Sequence, residues 1–171
     1  MLIGPQKSGK TTLAALLEGR EMAIRRVPNM VYREKTLDTP GAYLESPWMH
    51  KHLIAAAQDA CCVVMAADAA GKKRAYPPAF AKAFRVPVIG VVTRCDLPDA
   101  NPESARRQLL EAGVPEPILL LSIREAESVQ AFLKTLAPLP QLPSITLLQE
   151  AYLVSLLSSP MRNVMFPTLR P

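Results

Sequence analysis

Apolar positions along the chain follow two rhythms. Residues 60–67 and 86–92 are continuous apolar runs of the kind found in strands buried on both faces. Residues 10–19 carry a helical period instead, with Leu13, Leu16 and Leu17 on one stripe and Gly19 as a stop. The same alternation extends through the chain. A short strand is predicted over 1–3, well under the ~5 to 6 residues of a usual strand. A second, over 35–37, runs into Asp38-Thr39-Pro40-Gly41. Ser46-Pro47 reads as a cap and first-turn proline for a helix to about residue 59, and residues 77–84 as a short helix. Asn101-Pro102 opens a helix that stops near Gly113, followed by a strand over 118–121 and a helix over 125–136. Strands alternating with helices imply βαβ units, hence an α/β domain with a mostly parallel sheet over residues 1–137. Pro138, Pro140 and Pro143 make residues 138–144 an extended linker. Beyond it, Ile145, Leu148, Tyr152 and Leu156 fall at helical spacing, so a C-terminal amphipathic helix is expected within the tail, residues 145–171.

Composition narrows the class. The chain has 171 residues, 49% hydrophobic and 20% charged, which is enough apolar material for one packed domain and excludes disorder along the whole length. The apolar runs stop far short of the ~20 residues that a bilayer crossing needs. The first residues carry no apolar stretch behind a basic start, so no secretory signal is expected and the cytoplasm is the expected location. Cys61 and Cys62 are neighbours and Cys95 is remote, a spacing that fits reduced, mostly buried thiols better than a disulfide framework. A formal charge of +5 raises the question of nucleic acid. The basic residues are nonetheless dispersed in pairs such as Arg25-Arg26 and Arg106-Arg107, and aromatics are only 5%, so a solvated surface with one phosphate pocket is expected and no nucleic-acid partner.

Four segments carry chemistry. Gly4-Pro5-Gln6-Lys7-Ser8-Gly9-Lys10-Thr11 matches G-x-x-x-x-G-K-[ST], placed after a strand and at the start of a helix. In such a loop Gly4 and Gly9 let the backbone curl, the amides around Lys7, Ser8 and Thr11 face a phosphate, Lys10 reaches the β and γ oxygens, and the Thr11 hydroxyl ligates Mg²⁺. Asp38 of Asp38-Thr39-Pro40-Gly41 suits a magnesium ligand acting through water, and Gly41 can bring its amide near a γ-phosphate. Thr93-Arg94-Cys95-Asp96 resembles the [NT]-K-x-D base-reading motif. A carboxylate at Asp96 can accept from guanine N1–H and the exocyclic amine, a donor pair that adenine lacks. Ser122 ends the 118–121 strand, and its place resembles that of the Ser-Ala loop which Ras-like GTPases set against the base.

These motifs in this order resemble a Ras-like P-loop GTPase domain, which implies a three-layer αβα sandwich of the P-loop NTPase type. Within that superfamily, Gly4 to Thr11, Asp38-Thr39-Pro40-Gly41-Ala42-Tyr43-Leu44-Glu45, Val88-Ile89-Gly90-Val91-Val92-Thr93 and Leu110-Glu111-Ala112-Gly113 are similar to the EutP/PduV family of ethanolamine and propanediol utilisation. The resemblance covers residues 1–136. It implies a bacterial cytoplasmic protein of a metabolic microcompartment that binds GTP or GDP with Mg²⁺, ATP remaining open, and that has shell or enzyme proteins as partners. Some relatives are described as acetate kinases, yet no residue is assignable to acetate by that analogy.

Departures from the pattern set further expectations. The stretch where Ras-like domains carry a switch threonine reads Arg26-Val27-Pro28, and Thr36 is the only Thr between Gly19 and Asp38, so an ordinary first switch is not expected. Ala42 stands at the place of the water-orienting glutamine and Gln6 at that of a glycine, so hydrolysis should be slow unless a partner supplies groups, and no catalytic residue is assigned. Arg94 replaces a lysine and Ile123 a small residue. His50 and His52 are two apart on a helix and face different ways, which argues for surface histidines rather than a metal pair. Lys72-Lys73-Arg74 reads as a solvated loop, with contact to an acidic partner as the sharper option. Besides a guanine-nucleotide-binding protein, two other classes stay open: an ATP-dependent phosphotransferase acting on acetate or a similar acid, and an interaction module with a remnant nucleotide site.

A stripe of Ile145, Leu148, Tyr152 and Leu156 needs cover, because each large side chain contributes ~1.5 to 3 kcal/mol when buried. Docking onto its own domain is the expected arrangement, and a second copy or a partner is the alternative. Truncation after Ala137 should therefore lower the thermal midpoint of the monomer. An unchanged midpoint with lost self-association or partner binding would assign the stripe to an interface.

Overall fold

A computed structural model describes residues 1–19, 29–71 and 74–139. The Arg25-Arg26 pair, the Arg26-Val27-Pro28 stretch, Lys72-Lys73, the linker from Pro140 onward and the expected C-terminal helix lie outside the described residues. Six strands form one sheet: β1 (Leu2–Ile3), β2 (Val31–Tyr32), β3 (Leu37–Asp38), β4 (Val63–Asp68), β5 (Val88–Thr93) and β6 (Leu119–Leu121). Their spatial order is β2-β3-β1-β4-β5-β6. Every pairing is parallel except that of β2 with β3. Among the described residues five α-helices accompany the sheet: α1 (Lys10–Glu18), α2 (Gly41–Glu45), α3 (His50–Ala56), α4 (Pro102–Glu111) and α5 (Ala126–Leu136). This mixed α/β sandwich is the architecture of a P-loop NTPase.

The two-residue repeat of a strand sorts the core into two layers. Ile3, Leu37, Val63, Met65, Ala67 and Val92 pack with Leu44, Leu53, Phe80, Phe84 and Leu109 on one face. Leu2, Val64, Ala66, Val91 and Leu121 pack with Leu13, Leu16 and Leu17 of α1 and Val129, Phe132, Leu133 and Leu136 of α5 on the other. Covered on both sides, β4 has no position for a solvated side chain until Asp68, which explains its continuous apolar run. β1 is only two residues long but sits at the centre, with Leu2 paired to both Asp38 and Val64. Among the described residues no helix is long and apolar enough to cross a membrane.

Local signals account for most boundaries. Gly19 stops α1 in the left-handed conformation and its N–H returns to the Ala15 and Leu16 carbonyls. Asn101 caps α4 by accepting from the Ser104 amide, with Pro102 in the first turn. Residues 41–45, for which no element is expected, form the short helix α2, because Pro40 supplies an extended N-cap and the Tyr43 N–H returns to the Pro40 carbonyl. Two expectations need correction. The expected helix from Ser46 to residue 59 is broken into a 3-10 turn at Pro47–Met49, α3, and a second 3-10 turn at Ala57–Asp59, so the strand that follows begins at Val63 rather than 60. The helix expected over 77–84 is only the 3-10 turn Phe80–Ala83, since Ala79 is left-handed with φ 57° and its N–H is drawn to the Glu111 carbonyl of α4. β2 has no counterpart among the predicted strands, because two residues give no alternation to read.

Tyr76 ties the sheet where β1 ends. Its buried hydroxyl lies 2.8 Å from the Ala66 carbonyl and 3.0 Å from that of Ile3, bridging β4 and β1, and burial pushes the phenol well above its ordinary pKa. Removing only that oxygen takes away the one proton that the two buried carbonyls share. Tyr76→Phe should therefore lower the unfolding free energy by ~1 to 3 kcal/mol in urea titration, although the substitution keeps every ring contact.

Candidate functional site

The carboxyl ends of β1, β3, β4, β5 and the segment after β6 converge on one edge of the sheet, the usual place for ligands in open parallel sheets. Between β1 and α1, residues 4–9 turn back on themselves with Lys7 at φ 62° and Gly9 at φ 80°. A left-handed lysine costs ~1 to 2 kcal/mol, strain that tertiary contacts must hold in place. Gly4 is required sterically: an added Cβ would lie 2.6 Å from the Ser8 hydroxyl and 2.7 Å from the Ala66 carbonyl. Ser8 is fully buried.

Lys10 and Thr11 occupy the first turn of α1. The Lys10 ammonium folds over the loop, donating to the Pro5 carbonyl at 2.7 Å and toward the Ser8 hydroxyl at 3.4 Å. Burial pulls its pKa down to about 8, against the opposing pull of Asp38 and Glu45. Asp38, 1% exposed at the end of β3, is pushed up by burial, while the Thr11 hydroxyl, Lys10 and Arg33 pull it down. The Thr11 hydroxyl donates to Asp38 Oδ2 at 3.0 Å, and Asp38 Oδ1 is buried without a hydrogen-bond partner among the described residues. A hydroxyl beside a buried, half-satisfied carboxylate is a donor set that suits a hard divalent cation such as Mg²⁺. No cluster of three or more His, Cys, Asp or Glu that could hold a metal is found among the described residues.

Thr39 anchors the segment after β3 by donating to the Leu2 carbonyl at 2.7 Å. Gly41 then comes so close to the loop that an added Cβ would lie 2.7 Å from Gln6 Cα and 2.8 Å from its Cγ. Gln6 in turn donates through its backbone N–H and its side-chain amide to the two carboxylate oxygens of Glu45, at 3.1 and 3.3 Å. Ala42 is exposed.

The segment after β5 divides its residues between two tasks. Thr93 is buried beneath the loop, its hydroxyl 2.9 Å from the Ser8 carbonyl and 3.1 Å from that of Ala67, so it supports the loop backbone. Arg94, at φ 58°, directs its guanidinium onto the Asp68 carboxylate, with Nε 2.8 Å from Oδ1 and a second contact to Oδ2. Asp96 presents its carboxylate toward the loop after β6, where Arg124 Nε lies 3.6 Å away. Ser122 is buried, with its hydroxyl accepting from the Arg124 amide and its carbonyl accepting from Ser128. The structure thus brings Gly4, Lys7, Ser8, Gly9, Lys10, Thr11, Asp38, Gly41 and Thr93 together around one loop and places Asp96 and Ser122 on the neighbouring loops after β5 and β6.

Other residues stand apart from this constellation. Thr36 is buried and its hydroxyl donates to Glu18 at 2.7 Å, so it is turned to α1. His50 is half-buried against the Phe80 ring at 4.8 Å and within 2.7 Å of the Leu44 carbonyl, a correction to its reading as a surface residue, whereas His52 is exposed. The cysteines are free thiols. Cys62 is buried and its pKa is pushed up to about 12 by burial, while Cys61 and Cys95 are only half-buried. An open depression of about 520 Å³ is lined by Met30, Tyr32, Tyr43, His52 and Ala56 among others, and by no residue of the loop. Glu45, Asp68 and Tyr76 contribute to the edge without any motif that marks them. Asp68 left a trace in the sequence as the first charge after an apolar strand, and Glu45 as the end of the stretch that begins at Asp38.

Residues 1–137 match the PduV-EutP family, described as ethanolamine utilisation and propanediol utilisation. The chain is 35% identical over 103 residues to the propanediol utilization protein PduV of Citrobacter freundii, covering 60% of this chain and 67% of that one. It is 30% identical over 139 residues to a protein of Escherichia coli K12 named probable acetate kinase EutP, covering 80% and 87%. A Salmonella typhimurium LT2 protein of the same name is 30% identical over 141 residues, covering 81% and 89%.

The buried ammonium has a measurable cost. Folded Lys10 holds its proton less tightly than the unfolded chain, so between pH 8 and 10.5 the unfolded state binds more protons and stability rises with pH. Below pH 8 the full penalty applies, the attraction of Asp38 and Glu45 being already contained in the lowered pKa. Lys10→Met should raise the ligand-free unfolding free energy at pH 7 by ~1 to 3 kcal/mol, a gap that closes as the pH rises to 10.5. Paired urea titrations at pH 7 and pH 10.5 check it.

Proposed function

Since the chain belongs to the PduV-EutP family of ethanolamine and propanediol utilisation, we propose that it serves that metabolism as a P-loop nucleotide-binding protein. Its ligands are GTP and GDP with Mg²⁺, and its place is a bacterial microcompartment with shell or enzyme proteins as partners. The observation that carries the reading is the Lys10 ammonium buried within a curled loop, where the carboxylates of Asp38 and Glu45 are the anions that act on it among the described residues. A phosphate is the ligand that such a loop, with a helix amino terminus behind it, is suited to hold. Thr11 and Asp38, the latter through water, would hold Mg²⁺, which when bound supplies charge neutralisation to the phosphates.

Base selection falls to Asp96. Its carboxylate meets Arg124 at 3.6 Å, a long contact that a guanine donor pair can replace. Arg94 is held by Asp68, which fixes its flat head beside the same edge. Turnover should be slow, because exposed Ala42 has nothing with which to orient a water and the Gln6 amide is engaged by Glu45.

ATP-dependent phosphoryl transfer to a small acid is the second reading, favoured by the acetate-kinase names of two relatives. The two readings separate at the base. Titration calorimetry with GTP, GDP, ATP and ADP, each with Mg²⁺, should show guanine nucleotides binding more tightly. Lys10→Ala should weaken binding by at least ~2 kcal/mol, roughly thirtyfold. Asp96→Asn should weaken GTP and favour xanthine nucleotides, whose ring carbonyl suits an amide donor. ATP bound as tightly as GTP by the unaltered protein would overturn the assignment of Asp96 and favour phosphotransfer.

A further inference from the structure

The outer rim of the loop carries an anion of the protein's own. Both oxygens of Glu45 are held by Gln6, one by its backbone N–H at 3.1 Å and the other by its side-chain amide at 3.3 Å. A carboxylate gripped by two N–H donors of a phosphate-type loop occupies the kind of contact that an oxyanion would make. Gly41 closes the rim from the same side, with no room for even a methyl group between it and Gln6. Glu45 is also close enough to Lys10 to pull the lysine pKa upward, so its charge is felt inside the loop.

From this juxtaposition we propose that Gln6 and Glu45 form a clasp that sets the preference for diphosphate over triphosphate ligands. The inference rests on the nucleotide-binding reading and concerns the same loop. A diphosphate held by Lys10 and the inner amides leaves the rim as it stands. A third phosphate, reaching toward the Gly41 amide, brings up to two further negative charges against the Glu45 carboxylate and must part Gly41 from Gln6. The triphosphate complex therefore pays for opening the clasp, and the diphosphate complex does not. Gln6 and Glu45 are both exposed, so the repulsive part is screened by salt.

The test titrates GDP and a non-hydrolysable GTP analogue, each with Mg²⁺, into the unaltered chain, Glu45→Gln and Gln6→Ala. Glu45→Gln keeps the size of the side chain and removes its charge. The ratio of triphosphate to diphosphate affinity should rise about fivefold in Glu45→Gln at low salt, and the rise should shrink toward unity near 1 M salt. Gln6→Ala removes one of the two donors and should move the ratio the same way by a smaller factor. Unfolding midpoints without nucleotide verify that each variant is folded, and Gln6→Ala carries the test if Glu45→Gln is not. Both ligands binding with an unchanged ratio in the folded variants would overturn the clasp and leave the nucleotide reading intact. Failure of the unaltered chain to bind either ligand would overturn both.

Discussion

Where β1 gives way to the loop at Gly4, the hydrogen-bond ladder of the sheet stops while the backbone is still buried, and its carbonyls need donors from somewhere else. Three hydroxyls supply them. Thr39 donates to Leu2, Tyr76 bridges Ile3 and Ala66, and Thr93 sits between Ser8 and Ala67. Each hydroxyl comes from a different segment, so the ends of β1, β3, β4 and β5 are locked to one another and to the loop. The left-handed backbone at Lys7 and the close approach at Gly4 are affordable only on such a rigid support.

On that support the charges are arranged against stability. Lys10 and Asp38 are both nearly out of water, and burial disfavours the ionised form of each. Their mutual attraction offsets the penalty only in part, which is the common balance for buried ions. One oxygen of Asp38 has no hydrogen-bond partner among the described residues. An apolar pair of equal size would fold more firmly and bind nothing. On the proposed nucleotide-binding reading, an anion beside Lys10 and a cation beside Asp38 would complete this arrangement.

Much of the fold and part of the site were legible before any coordinates. The period of apolar residues placed α1, α4, α5, β4, β5 and β6 to within a few residues, and Gly19, Asn101-Pro102 and Gly113 marked helix ends through rules that act inside a single turn. The loop from Gly4 to Thr11 was legible because its motif is contiguous. Elements of two to five residues were not. β2 and α2 are too short to carry a period, and the reading of 77–84 as a helix failed because Ala79 answers to Glu111 of α4 rather than to its own neighbours.

By itself the sequence determined the α/β class, the order of the longer elements, the burial of the central strands on both faces and the position of the glycine-rich loop, because each depends on residues within about a turn or a strand of one another. Tertiary structure decided the rest of the site. Tyr76 finds the Ile3 carbonyl 73 residues away, Thr93 finds Ser8 at 85, Gln6 meets Glu45 at 39 and Arg94 takes Asp68 at 26. A hydroxyl or a carboxylate has no preferred partner in sequence. It bonds whichever unsatisfied group the packed strands bring within about 3 Å, and only the assembled sheet determines which group that is.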